Sequence, residues 1–114
     1  MFESHQLTGT PSQIEWAEQI RPRVDAEFGR VENAFRRVAA KQPEHARLET
    51  LAILAVLEEK RLEVLANLEA GYFIRYWQEL GGQVRQIIAK DPRYQAIKSG
   101  RSARRDLSRP ATLL

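Results

Sequence analysis

The sequence predicts an all-α fold: an antiparallel helical hairpin or bundle with one long central helix, short C-terminal helices and an extended basic C-terminal arm. Three observations lead to this prediction. Apolar residues recur at steps of three and four over two long stretches, as they do on the buried side of a helix. A capping sequence opens the first stretch, and proline and glycine separate the segments. At 114 residues without cysteine, the chain suits one domain with a modest core.

The first helix is predicted to begin at about Pro11. Thr10 can cap it, proline is favoured at the first helical position, and Gln13 stands where a capping box needs a glutamine or glutamate. Pro22 lacks a backbone donor, so we expect a kink or a second helix start there. Beyond it the apolar seam is regular and comprises Val24, Phe28, Val31, Phe35 and Val38.

The second helix, from about Glu44 after a turn at residues 41–43, is predicted to be the longest and to continue towards residue 80 unless Gly71 breaks it. It carries two apolar stripes on nearly opposite sides. The first stripe comprises Leu48, Leu51, Ala55, Leu62 and Leu65, and it continues through Phe73, Tyr76 and Leu80. A helix that is apolar all round must be covered on more than one side. We therefore expect a homodimer whose interface is the second stripe, formed by Ile53, Leu57, Val64 and Leu68.

Shorter elements are predicted after Gly81 and Gly82, which end the long helix. A fourth helix would carry Val84, Ile87 and Ile88, and a last turn capped at Asp91 would carry Tyr94 and Ile97. The chain thus divides into a helical body, residues 1–98, and a basic arm, residues 99–114. The arm is polar and has no apolar period, which is typical of a segment that is disordered alone.

Charge is distributed unevenly along the chain. Residues 90–114 carry seven Lys and Arg against two acids, a net of +5, whereas residues 1–89 carry a net of −2, which together give the chain's +3. A basic terminal segment usually meets an anionic partner. The candidate nucleic-acid-binding residues are Lys98, Arg101, Arg104, Arg105 and Arg109. Their charges indicate salt-dependent phosphate binding without base readout.

Two alternatives to nucleic-acid binding stay open. A charged tail can serve solubility alone. The chain can also be a protein–protein adaptor or inhibitor whose arm or apolar stripe engages a groove of another protein. The leading interpretation is a non-enzymatic, self-associating helical accessory protein whose arm docks on nucleic acid or on a nucleoprotein complex.

Two stretches of the sequence carry a resemblance to known proteins. Residues 7–21 read LTGTPSQIEWAEQIR, and residues 70–77 read AGYFIRYW. The pair resembles a group of small bacterial and phage-type helical proteins that combine such an opening with a later aromatic block. Arg75 stands where that block carries an acid, so no role for the acid is carried over. The resemblance implies a helical protein of mobile-element origin and supplies no activity. From helical spacing we expect Trp16 and Trp77 in the core, with an exposed docking patch as the alternative.

Catalytic, metal and membrane functions are not expected. The only histidines are His5 and His45, and no serine lies beside an oriented base. The carboxylates of Glu58, Glu59, Glu63 and Glu69 lack the histidine three residues on that helical metal sites use. We therefore predict no enzyme, cofactor, metal or small-molecule substrate. The absence of cysteine, of a visible signal peptide and of a long apolar run predicts a cytoplasmic protein without a membrane segment.

Overall fold

The computed structural model describes the backbone of residues 6–107 and the side chains of residues 6–100. These residues form five helices and no strand, which confirms the all-α prediction. The helices are α1 (Pro11–Ala40), α2 (Glu44–Leu65), α3 (Ala70–Trp77), α4 (Gln83–Lys90) and α5 (Pro92–Leu107). Helices α1 and α2 form an antiparallel hairpin, across which Arg61 Nε donates to Asp25 Oδ1 at 2.8 Å. Helix α1 also packs against α3 and α4, and α5 packs against α2 and α4.

The start of α1 has the predicted capping box. Thr10 Oγ1 accepts from the Gln13 backbone N–H at 3.2 Å, and Gln13 Oε1 accepts from the Thr10 N–H at 3.0 Å. These two bonds satisfy donors that a helix N-terminus otherwise leaves free. The capping prediction from the sequence is confirmed.

The residues before α1 are fixed to the connection between α2 and α3. The Thr8 N–H donates to the Leu68 carbonyl at 2.7 Å, and the Ala70 N–H donates to the Thr8 carbonyl at 2.9 Å. Gly9 follows with a φ of +147°, and a Cβ there would lie only 3.2 Å from the Ala70 Cβ. Only glycine fits both the dihedral angle and the close approach. The Leu-Thr-Gly-Thr-Pro stretch therefore has a structural role, which is to join the first helix to the third.

Helix α1 is continuous for 30 residues, so Pro22 neither ends it nor starts a new one. Pro22 is exposed, and water can satisfy the carbonyl that its missing N–H leaves free. The predicted seam is buried from Val24 through Val31 and partly buried at Phe35. The seam prediction is wrong at Val38, which is half exposed, because the last turn of α1 buries Ala39 instead.

Helix α2 ends at Leu65, not near residue 80, so α1 is the longest helix. Asn67 Oδ1 accepts from the Glu69 N–H at 2.9 Å and closes a turn, and the pairing with Thr8 holds the chain extended beside it. The predicted single helix is therefore divided into α2 and α3. The division depends on a contact with a residue 60 positions earlier, which local patterning does not contain.

The core lies between α1, α2 and α3 and extends to α4. Phe73 and Trp77 point from α3 into it, and the Trp77 ring lies 6.0 Å from the Phe28 ring. The core prediction is confirmed for Trp77 and wrong for Trp16, whose side chain is half exposed. Trp16 precedes Ala17 on α1, and the buried stripe begins at Ala17.

Candidate nucleic-acid interface

Helix α5 starts at a buried carboxylate. Asp91 Oδ1 accepts from the Arg93 backbone N–H at 2.8 Å, and Pro92 occupies the first helical position. Asp91 also pairs with the Arg93 guanidinium at 3.0 Å and with Lys60 Nζ of α2 at 3.2 Å. Arg93 reaches further, to Glu59 Oε1 of α2 at 2.7 Å. This network attaches the beginning of the basic helix to the helical hairpin.

The same network shifts the pKa values of Asp91 and Arg93. The Arg93 side chain, then its backbone N–H, and Lys60 hold the pKa of Asp91 well below its ordinary value, although burial opposes them. Asp91 and Glu59 in turn raise the pKa of Arg93. Arg93 is therefore engaged in internal ion pairs with Asp91 and Glu59.

The predicted binding residues fall mainly on α5. The backbone of residues 99–107 continues the helix that begins at Pro92. The division of the chain into a body and a basic arm at residue 98 stays a prediction. Arg109 lies outside the described residues.

Several cations share one side of α5. Positions 98, 101 and 105 are three and seven residues apart, which places Lys98, Arg101 and Arg105 along one side of a helix, with Arg104 beside them. Lys98 is exposed, and its Nζ lies 5.6 Å from the centre of the Tyr94 ring. The backbone thus places three of the predicted binding positions, 98, 101 and 105, in a row along one side of α5.

An aromatic cleft lies between α3 and α4. It has a volume of about 360 Å³ and is lined by Tyr72, Tyr76, Trp77, Gln83, Gln86, Ile87 and Lys90. The ring of Tyr76 is 54% exposed, lies 5.5 Å from that of Tyr72 and carries the Arg75 guanidinium at 5.3 Å. Sequence reasoning missed this cleft because it placed residues 70–77 inside the long helix. The aromatic block followed by Gly81 and Gly82 was the available signal.

The predicted dimer interface requires correction. Ile53, Leu57 and Val64 lie in the core of the single chain, and only Leu68 of the four is exposed. The two stripes of α2 are similarly apolar, so periodicity alone does not show which of them faces α1. The exposed leucines of α2 belong to the other stripe and are Leu48, Leu51 and Leu62.

Three acidic residues in the second half of α2 are engaged in ion pairs. Glu58 Oε2 accepts from Arg61 at 3.0 Å, and Glu59 pairs with Arg93. Glu63 Oε1 lies 3.9 Å from Lys60 Nζ. Within residues 6–100 no three His, Asp or Glu side chains are placed to hold a metal ion. None of the helices in the described part of the chain has the length and apolar character needed to cross a membrane.

Comparison with protein-family models, with curated proteins and with solved structures finds no match to this chain. The likeness of residues 7–21 and 70–77 to small bacterial and phage-type proteins therefore stays a resemblance of motifs. The structure explains the first of these motifs by the contacts of Thr8, Gly9 and Thr10.

Proposed function

We propose that this chain is a non-enzymatic, self-associating helical accessory protein that docks on nucleic acid, or on a nucleoprotein complex, through α5 and the residues that follow it. The observation that carries the proposal is the charge left after internal pairing. Of the seven cations in residues 90–114, Arg93 is paired with Asp91 and Glu59. The other six, Lys90, Lys98, Arg101, Arg104, Arg105 and Arg109, share this segment with one remaining acid, Asp106.

The spacing of these cations suits a phosphate backbone. Positions 98–105 of a helix span about 10 Å, because the rise is about 1.5 Å per residue. Successive phosphates of one DNA strand advance by about 3.4 Å, so the row matches about three steps. Phosphate contacts position a protein without reading bases. We therefore expect binding that is sensitive to salt and tolerant of sequence.

The aromatic cleft supports a preference for single strands. Lys90 lines the cleft and ends α4, two residues before α5 begins. An unpaired base can stack on an exposed ring such as Tyr76, a contact worth about 1–3 kcal/mol. The amides of Gln83 and Gln86 offer both donors and acceptors to a base edge. In duplex DNA the bases are already stacked and cannot use this site.

The test is a salt series of oligonucleotide binding by fluorescence anisotropy. The variant R101A/R104A/R105A removes three charges from α5, and R23A/R37A/R47A removes three from exposed positions on α1 and α2. Each lost phosphate contact reduces the slope of log K against log salt by about 0.7 for single strands. We expect the slope of log K against log salt to be smaller by about 2 for the first variant and nearly unchanged for the control.

Two results would contradict the proposal. If both triple variants change the slope equally, general charge and not α5 drives binding. If the wild-type protein binds neither single strands nor duplex at low salt, the adaptor or inhibitor interpretation replaces nucleic-acid docking.

A further inference from the structure

The aromatic cleft between α3 and α4 presents polar side chains that the rest of the described chain does not engage. The amides of Gln83 and Gln86 and the ammonium group of Lys90 line it. Within residues 6–100, no hydrogen bond joins either side-chain amide and no ion pair joins Lys90. Lys60 and Arg93, in contrast, are both held in ion pairs. The cleft therefore offers donors, acceptors and one positive charge to a ligand.

The helical register brings these groups together. The lining residues of α4 lie at positions 83, 86, 87 and 90, a spacing that puts them on one side of the helix. On α3, Tyr72 and Tyr76 are one turn apart and line the same cleft, with the buried Trp77 beside them. Aromatic rings from one helix thus meet amides and a cation from the other.

This lining suits a flat ring that carries a negative charge. A heteroaromatic base stacks on an exposed ring such as Tyr76, and a glutamine amide pairs with adenine through two hydrogen bonds. None of the described residues that line the cleft is acidic, and Lys90 carries its one charge. The Arg75 guanidinium, which lies over the Tyr76 ring at 5.3 Å, adds positive charge nearby. An anionic group on the ligand is therefore favoured.

The size of the cleft limits the ligand. Its volume of about 360 Å³ lies at the lower end of the range of about 300–1,000 Å³ that small-molecule sites occupy. We infer that the cleft binds one free nucleoside monophosphate, with the base on Tyr76, its edge at Gln83 and Gln86, and the phosphate at Lys90. The choice of a nucleotide among flat anions rests on the proposed function, whereas the site itself rests on the lining of the cleft.

A free nucleotide in the cleft competes with a strand. In the proposed docking, one base of the strand uses the cleft, while the cations of α5 hold phosphates. A bound monophosphate occupies the stacking surface of Tyr76 and leaves the α5 cations in place. It should lower the affinity for a single strand by at least about fivefold, the smallest loss expected when one base loses its stacking contact. The slope of log K against log salt should change by at most about 0.7, the share of one phosphate at Lys90.

Trp77 provides the measurement of monophosphate binding. The chain has two tryptophans, and Trp16→Phe leaves Trp77, which lines the cleft, as the single one. Adenosine monophosphate, adenosine and inorganic phosphate are titrated separately into this full-length variant while its fluorescence is followed. We expect the monophosphate to bind about two- to fivefold more tightly than adenosine, because an exposed ion pair with Lys90 contributes modestly. Inorganic phosphate alone should leave the fluorescence unchanged.

Two substitutions in the Trp16→Phe background assign the contacts. Tyr76→Ala should weaken monophosphate binding by at least about fivefold through loss of stacking. Lys90→Gln should remove the difference in affinity between the monophosphate and adenosine. Lys41→Gln is the matched control, because Lys41 is an exposed lysine at the end of α1 and does not line the cleft. Circular dichroism checks that all three variants keep the helix content of the parent.

Four results would overturn the inference. They are no fluorescence change with millimolar monophosphate, an unchanged monophosphate affinity in Tyr76→Ala, an equal response to inorganic phosphate, and a strand affinity that saturating monophosphate leaves unchanged.

The cleft site and the docking on nucleic acid can fail separately. The variant R101A/R104A/R105A should lose salt slope in strand binding and keep the wild-type affinity for the monophosphate. A chain that binds strands through α5 but not the monophosphate keeps the proposed function and loses this inference. A chain that binds the monophosphate but no strand keeps the cleft site and loses the docking.

Discussion

Replacement of Phe73 by alanine tests the placement of α3 in the core. The Phe73 side chain is fully buried, meets the Tyr72 ring edge-on at 5.2 Å and lies 5.7 Å from the Arg21 guanidinium. Truncation of a buried phenylalanine to alanine costs about 3–5 kcal/mol. For a domain of this size, each kcal/mol lowers the Tm by about 4–8 °C. We therefore expect Phe73→Ala to lower the Tm by more than about 12 °C.

Tyr76 provides the matched control, since it lies one turn along the same helix and is 54% exposed. Tyr76→Ala should cost less than about 1 kcal/mol, because most of its ring already contacts water. Urea unfolding followed by circular dichroism measures both variants. The sequence pattern placed Phe73 and Tyr76 on one buried stripe, so equal destabilisation by the two substitutions would refute the structural assignment of α3.

Other consequences follow from local contacts. Gly9→Ala should destabilise the protein by more than about 1 kcal/mol in urea unfolding, because of the positive φ and the close Ala70 Cβ, and a wild-type midpoint would contradict this. Thr10→Ala should cost about 1 kcal/mol through loss of the cap, whereas a cost near zero would show that the cap is replaceable. Because the folded-state pKa of Asp91 is lowered, its ion pairs stabilise the protein fully above about pH 4 and less as the pH falls below that value. The Tm of the Asp91→Asn variant should therefore fall less than the wild-type Tm on acidification. Parallel curves of Tm against pH for the two proteins would refute the stabilising role of the network. Tyr76→Ala should weaken single-strand binding and leave the salt slope unchanged, and an unchanged affinity would remove the cleft from the interface.

Local signals predicted the parts of the fold that depend on neighbours in sequence. The capping box at Thr10 and Gln13 is formed by residues three positions apart, and it is present as predicted. The same holds for the start of α5, where Asp91 caps the helix through Arg93. Such contacts are independent of the rest of the fold, which is why the sequence alone suffices for them.

Long-range contacts account for the parts that the sequence did not predict. The end of α2 depends on Thr8, and no proline or glycine in residues 66–69 marks it. The choice between the two stripes of α2 depends on packing against α1, so the dimer interface was assigned to Ile53 and its neighbours, which are buried. The cleft around Tyr76 requires α3 and α4 to turn towards each other. The apolar pattern of the sequence alone does not show how α3 and α4 are arranged relative to each other.

The most direct test of nucleic-acid docking is a titration of the isotope-labelled protein with a single-stranded oligonucleotide, followed by backbone amide NMR. We predict that the shifts change for residues 98–107 and around the cleft at Tyr76, and stay constant for the buried α1 segment between Val24 and Val31. Changes confined to α1 and α2, with residues 98–107 unaffected, would contradict the account.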